Sequence, residues 1–144
     1  MLLVVSMGSG STSFSSMELK RNNIQVINHC GLDFGGYEFD RCLYDNLEMN
    51  LKHKFDKKEK YELLLKVENR KKELQKFRVV IDTPAVTLPN GFKECICDND
   101  YDSHCGHLYI LIEQTLRELF VEVKRKRFQI KEVLLAGASS KLKR

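Results

Sequence analysis

The sequence predicts an α/β fold in which a small mixed sheet, formed by the two ends of the chain, carries a helical insertion. Two apolar runs near the termini, at residues 2–5 and 130–136, each lead directly into a Gly/Ser turn, as strands do. Between them, long stretches repeat their apolar residues at helical spacing. A length of 144 residues with 42% apolar side chains is enough for one domain with a real core. The expected division is a sheet base from residues 1–34 and 127–144, and an insertion from residues 35–126.

Each element has its own signal. Residues 2–5 read as a buried strand, and the small residues Gly8, Ser9, Gly10, Ser11, Thr12 and Ser13 turn the chain after it. A second strand is expected over residues 14–19. Lys20, Arg21, Asn22 and Asn23 then turn into a third at residues 24–27, because asparagine tolerates left-handed backbone. Gly35 and Gly36 precede a first helix, whose Phe39, Leu43, Leu47 and Leu51 line one face. A second helix over residues 58–77 places Leu63, Val67, Leu74 and Phe77 on its apolar side, and Glu68, Lys71, Lys72 and Gln75 on the other. Pro84, Pro89, Asn90 and Gly91 punctuate short strands or loops reaching to about residue 103. A third helix over residues 108–126 turns Ile112, Leu116, Leu119, Phe120 and Val123 inward, and residues 130–136 form a last buried strand. A chain whose first residues already form a strand reads as starting midway through a larger architecture.

Composition excludes several classes of function. Charged residues make up 31% and the net charge is only +4, too small and too evenly mixed an excess to point to nucleic acid. The basic run Lys124, Arg125, Lys126, Arg127 reads as a helix end whose cations offset the dipole. No apolar stretch approaches the roughly 20 residues that span a bilayer, so no membrane partner is expected. The five cysteines are odd in number and irregularly spaced, which fits reduced thiols and a cytoplasmic location.

The Gly/Ser turns carry the chemistry. Backbone N–H groups in such turns converge on an anion, and small side chains let it approach. Neither turn has the Gly-Lys-Ser/Thr ending of a Walker loop.

Three blocks, Leu3-Val-Val-Ser-Met-Gly-Ser-Gly-Ser-Thr, Phe34-Gly-Gly-Tyr-Glu-Phe-Asp-Arg and Val133-Leu-Leu-Ala-Gly-Ala-Ser-Ser-Lys-Leu-Lys-Arg, resemble in order and spacing the second lobe of the ATPase domain of the seventy-kilodalton heat-shock chaperones. The resemblance covers nearly the whole chain and is weakest over residues 82–106. It implies an actin-like, ribonuclease H-like ATPase lobe and binding of ATP or ADP. By the same resemblance Gly8, Ser9, Gly10 and Ser11 wrap the phosphates, Gly35 and Gly36 match the paired glycines at the base of the mobile subdomain, and Gly137, Ala138 and Ser139 form the adenosine turn. Glu68, Lys71, Lys72 and Gln75 fall where the family clasps adenosine. Co-chaperones and nucleotide-exchange factors are the implied protein partners.

The chain also departs from the family. Ser6 and Ser13 stand where the family has aspartates, and a hydroxyl cannot replace a carboxylate in anchoring hydrated Mg2+. Ala138 replaces a glycine, Lys72 an arginine and Gln75 a serine. The first lobe, its catalytic lysine, the peptide-binding domain and the linker have no counterpart in these residues. Half of an ATP-binding cleft, unable to hydrolyse ATP alone, is therefore the expectation.

Two rival readings belong to other classes. Cys95, Cys97, His104, Cys105 and His107 suggest a small zinc-binding interaction protein, although Cys-x-Cys and Cys-x-His are tighter than the usual zinc spacings. Asp98, Asn99, Asp100 and Asp102 lack the glycine and terminal glutamate of a calcium loop and read as a turn. The other rival is an inert product of a truncated or decayed gene copy.

Overall fold

The computed structural model describes residues 1–76, 85–88, 91, 93–95 and 98–141. It is a mixed α/β structure that divides into two compact units, Met1–Gly36 with His107–Lys141, and Tyr37–Gly106.

The first unit is built on a four-stranded sheet. Strands β1 (Leu2–Met7), β2 (Thr12–Lys20) and β3 (Asn23–Leu32) form an antiparallel meander, and β6 (Glu132–Ala136) joins β1 in parallel, giving the order β3-β2-β1-β6. Alternation on β2 buries Thr12, Phe14 and Ser16 on one face, as the period of a pleated strand requires. Helix α4 (Gly106–Arg125) lays Leu119 and Val123 against Leu3 and Phe14, with Ile112, Leu116, Cys30 and Leu32 around them. This helix belongs with the sheet, whereas the sequence reading counted residues 107–126 in the insertion. Its apolar face is the cover the sheet needs.

Three local expectations change. Strand β3 runs five residues beyond Ile27, because the backbone ladder to β2 continues through polar positions, Ser15 opposite His29 with a 2.8 Å hydrogen bond between their side chains. Phe120 is exposed rather than inward, since it lies off the Leu119–Val123 stripe. Strand β6 is exposed rather than buried. Val133 and Leu135 share a face with their partners Leu3 and Val5, but the α4 cover falls over Leu3 and Phe14, leaving Val133 56% and Leu135 60% accessible at the sheet edge.

In the second unit, α1 (Gly36–Leu51, entering from the first unit) buries Phe39, Leu43, Tyr44 and Leu47, and α2 (Lys57–Lys76) buries Leu63 and Val67. Asp56 caps α2, its Oδ1 accepting from Lys58 and Glu59 N–H at 2.8 Å while its own N–H donates to Glu59 Oε2 at 2.9 Å, a capping box. A short hairpin pairs β4 (Ala85–Thr87) with β5 (Lys93–Cys95), and α3 (Asp98–His104) is helical where a turn was expected. Phe77, Pro84, Pro89, Asn90 and Cys97 lie outside the described residues. Among the described residues no helix is long and apolar enough to cross a membrane.

Candidate functional site

Parallel pairing decides where the two turns meet. Ser6 lies opposite Ala136, so β1 and β6 end side by side, and the chain turns at Gly8 after one and at Gly137 after the other. Gly137 has φ +84°, and a Cβ there would run into the Met7 backbone, 2.7 Å from its carbonyl carbon. Only glycine fits both the dihedral and the space. Ala138 then begins a short 3-10 helix, Ala138–Lys141, with Ser139 buried and Ser140 Oγ donating to the Gly137 carbonyl at 2.7 Å. Positive φ belongs to Gly137 and not to Ala138, so the alanine is accommodated without backbone strain.

The β1–β2 turn is closed by Gly8 N–H donating to Ser11 C=O at 2.9 Å. The buried segment Phe34–Gly36 is tied to it twice. Gly36 N–H donates to Gly8 C=O at 2.9 Å, and Thr12 Oγ1 donates to Phe34 C=O at 2.9 Å. Gly35 is pressed so closely on the turn that a Cβ would stand 2.5 Å from Gly8 O and 2.8 Å from Ser11 N. Three segments, Gly8–Ser11, Gly35–Gly36 and Gly137–Ser139, are thereby assembled at one end of the sheet. The Thr12 tie escaped sequence reasoning, and its only signal was a hydroxyl residue at the first position after the turn. At the tip, Ser9, Gly10 and Ser11 are exposed, and a Cβ on Gly10 would have nothing within 4 Å. Such an assembly offers backbone N–H groups and hydroxyls without any side-chain charge.

Ser6 and Ser13 are direct cross-strand partners, both half-buried. Ser6 and Ser13 therefore adjoin on one face of the sheet, and each presents a neutral hydroxyl.

Glu68, Lys71, Lys72 and Gln75 belong to the second unit. Lys72 pairs with Glu68 at 2.7 Å, and that hydrogen bond lowers the Glu68 carboxyl below its ordinary range. Lys71 is not on a solvated face: its Nζ lies 2.5 Å from Asp40 Oδ2 with both side chains 6% exposed. Burial pushes Asp40 up to about 6, an effect that the Lys71 ammonium only partly offsets, and Asp40 Oδ1 has no hydrogen-bond partner. Gln75 lies in α2, and its side chain is outside the described residues.

Among the described residues no three His, Cys, Asp or Glu side chains are placed to hold a metal. Of the zinc candidates, Cys105 is fully buried with Sγ donating to Phe39 C=O at 3.7 Å, while Cys97 and the Cys95 side chain lie outside the described residues.

A family model described as Hsp70 protein matches residues 1–143. The chaperone protein DnaK of Mycoplasma mobile is 26% identical over 156 aligned positions, covering 98% of this chain and 26% of that protein. The chain thus spans about a quarter of that relative's length.

Proposed function

This chain belongs to the Hsp70 protein family, and from that premise we propose that its three assembled turns grip the phosphates and adenosine of ATP or ADP as one side of a nucleotide cleft. The supporting observation is the parallel register of β1 and β6, which puts both Gly/Ser turns at the same end of one sheet with Gly35 wedged against the first. In this reading Gly8–Ser11 wrap the phosphates, with the exposed Ser9, Gly10 and Ser11 turning backbone N–H groups to them, and Gly137–Ser139 face the nucleoside. On the same reading Glu68, Lys71, Lys72 and Gln75 of the second unit are the positions proposed to clasp adenosine.

Magnesium does not fit. A hydrated Mg2+ is held through carboxylates together with the nucleotide's phosphates, and the cross-strand pair Ser6 and Ser13 supplies no carboxylate. Phosphoryl transfer relies on positioning and on neutralising developing charge, so the chain by itself binds nucleotide without hydrolysing it. Affinity is then about millimolar or weaker, roughly 4 kcal/mol, because one side of a cleft makes only part of the contacts. Co-chaperones or nucleotide-exchange factors that recognise the mobile subdomain are the protein partners this reading implies.

Gly10→Asp tests the phosphate assignment without disturbing the fold, since the side chain enters open space. The carboxylate should repel the polyphosphate and weaken ATP binding by about tenfold in equilibrium dialysis while leaving adenosine binding unchanged. Equal ATP affinity in parent and variant would overturn the assignment.

A further inference from the structure

Two cysteines from distant parts of the sequence meet inside the second unit. Cys42 lies in the middle of α1, and Cys105 follows α3 directly. Each thiol bonds into the other's segment. Cys42 Sγ donates to the carbonyl of His104, the residue before Cys105, at 3.0 Å. Cys105 Sγ donates to the carbonyl of Phe39, one helical turn before Cys42, at 3.7 Å. These crosswise bonds bring the two thiols together where α1 meets the end of α3. Their environments differ: Cys105 is fully buried, and Cys42 is half-buried and reachable from solvent.

We propose that Cys42 and Cys105 form a redox-sensitive dithiol that a peroxide closes to a disulfide, stapling α1 to the α3–α4 junction. Access sets the order of events. The Cys42 thiol loses its proton to solvent, and its thiolate attacks one oxygen of hydrogen peroxide. The O–O bond breaks, and the departing hydroxide takes up a proton to become water, leaving Cys42 as the sulfenic acid. Cys105 sulfur then attacks the Cys42 sulfur, the S–O bond breaks, and the second hydroxide leaves as water with the proton of Cys105. Two thiols and one peroxide give one disulfide and two waters.

Burial and the neighbouring Cys42 push the Cys105 thiol far above its ordinary value, so the second step needs a local proton acceptor. The hydroxide leaving Cys42 is that acceptor, and it departs as water with the Cys105 proton. The remaining described thiol, Cys30, lies in the first unit on β3.

The test treats the full chain with hydrogen peroxide, alkylates remaining thiols, and digests with trypsin and an Asp-specific protease, so that Cys105 is separated from Cys95 and Cys97. The expected result is a peptide pair joined through Cys42 and Cys105, loss of two of the five alkylatable thiols, and full recovery on reduction with dithiothreitol. Cys42→Ser, at the half-exposed position, should abolish the cross-link without unfolding the chain, as far-ultraviolet circular dichroism would verify. Cys30→Ser should leave the cross-link intact. A cross-link distributed among Cys30, Cys95 and Cys97, or both thiols alkylated after peroxide, would overturn the proposal.

Discussion

At Gly137 the backbone is held at φ +84° with the Met7 main chain where a Cβ would be. Gly137→Ala therefore combines left-handed strain with a backbone clash and should destabilise the chain by about 3 kcal/mol or more, measurable by urea unfolding. A glycine after an apolar strand was legible in the sequence as a turn. Its contact with a residue 130 positions earlier was not, because nothing local encodes which strand lies alongside. Asp40 makes the same point with charge. Helical spacing assigned Lys71 to a polar face, yet the structure buries it against Asp40, a partner 31 residues away. The Asp40 carboxyl rises from 3.8 to about 6 on folding. The folded state thus holds that proton more tightly, and its stabilising contribution is complete below pH about 4 and lost as pH rises through 6, on the order of 3 kcal/mol. Asp40→Asn should flatten this slope in denaturant titrations between pH 4 and 7. A variant whose slope matches the parent would place the titrating group elsewhere.

At the scale of elements, what the sequence made legible was whatever local periodicity and capping determine. The starts of α1, α2 and α4 fall within two residues of expectation, and Asp56 with Glu59 shows why α2 begins where it does. Asp56→Ala should lower stability by about 1 kcal/mol in thermal or urea unfolding. The end of α4 is equally well defined. Phe128 N–H donates to Val123 C=O at 3.1 Å and Arg127 N–H to Lys124 C=O at 2.9 Å, a Schellman closure with Arg127 at φ +60° where glycine is the usual residue. Arg127→Gly should raise stability by about 0.5–1 kcal/mol in the same assay, by relieving the left-handed strain. The basic run is thus a helix end, with Arg125 paired to Glu122 at 3.0 Å and Lys126 Nζ donating to Ile27 C=O at 3.0 Å. The second half of β3, the α3 helix and the exposure of β6 were not legible. Their states depend on ladder partners and on where α4 ends its cover, and both are tertiary facts.

For the molecule as a whole, the strand and turn order at the two termini carried more information than any single motif. Each Gly/Ser turn alone is an ordinary strand ending; in parallel register, with Ser6 beside Ala136, the two become one end of one sheet. The family relationship over residues 1–143 agrees with that architecture, an actin-like lobe with a mixed four-stranded sheet. Helix α4 groups with the sheet rather than with the insertion, a choice its sequence leaves open because an amphipathic helix states that it needs a partner without naming which. Loss of charge at Ser6 and Ser13 leads to a further expectation. Ser6→Asp with Ser13→Asp should restore a magnesium-dependent increase in ADP affinity, read by titration with and without Mg2+, because a carboxylate pair can order the hydrated cation.

The most direct measurement is a titration of the isotope-labelled chain with ATP, following backbone amide resonances. Saturable shifts should concentrate on Gly8–Ser11, Gly35, Gly36 and Gly137–Ser139, with a midpoint near or above about 1 mM and no phosphate release. Shifts confined to other residues, no response at tens of millimolar, or micromolar binding with magnesium-dependent turnover would contradict a cradle made by two strand ends of one sheet.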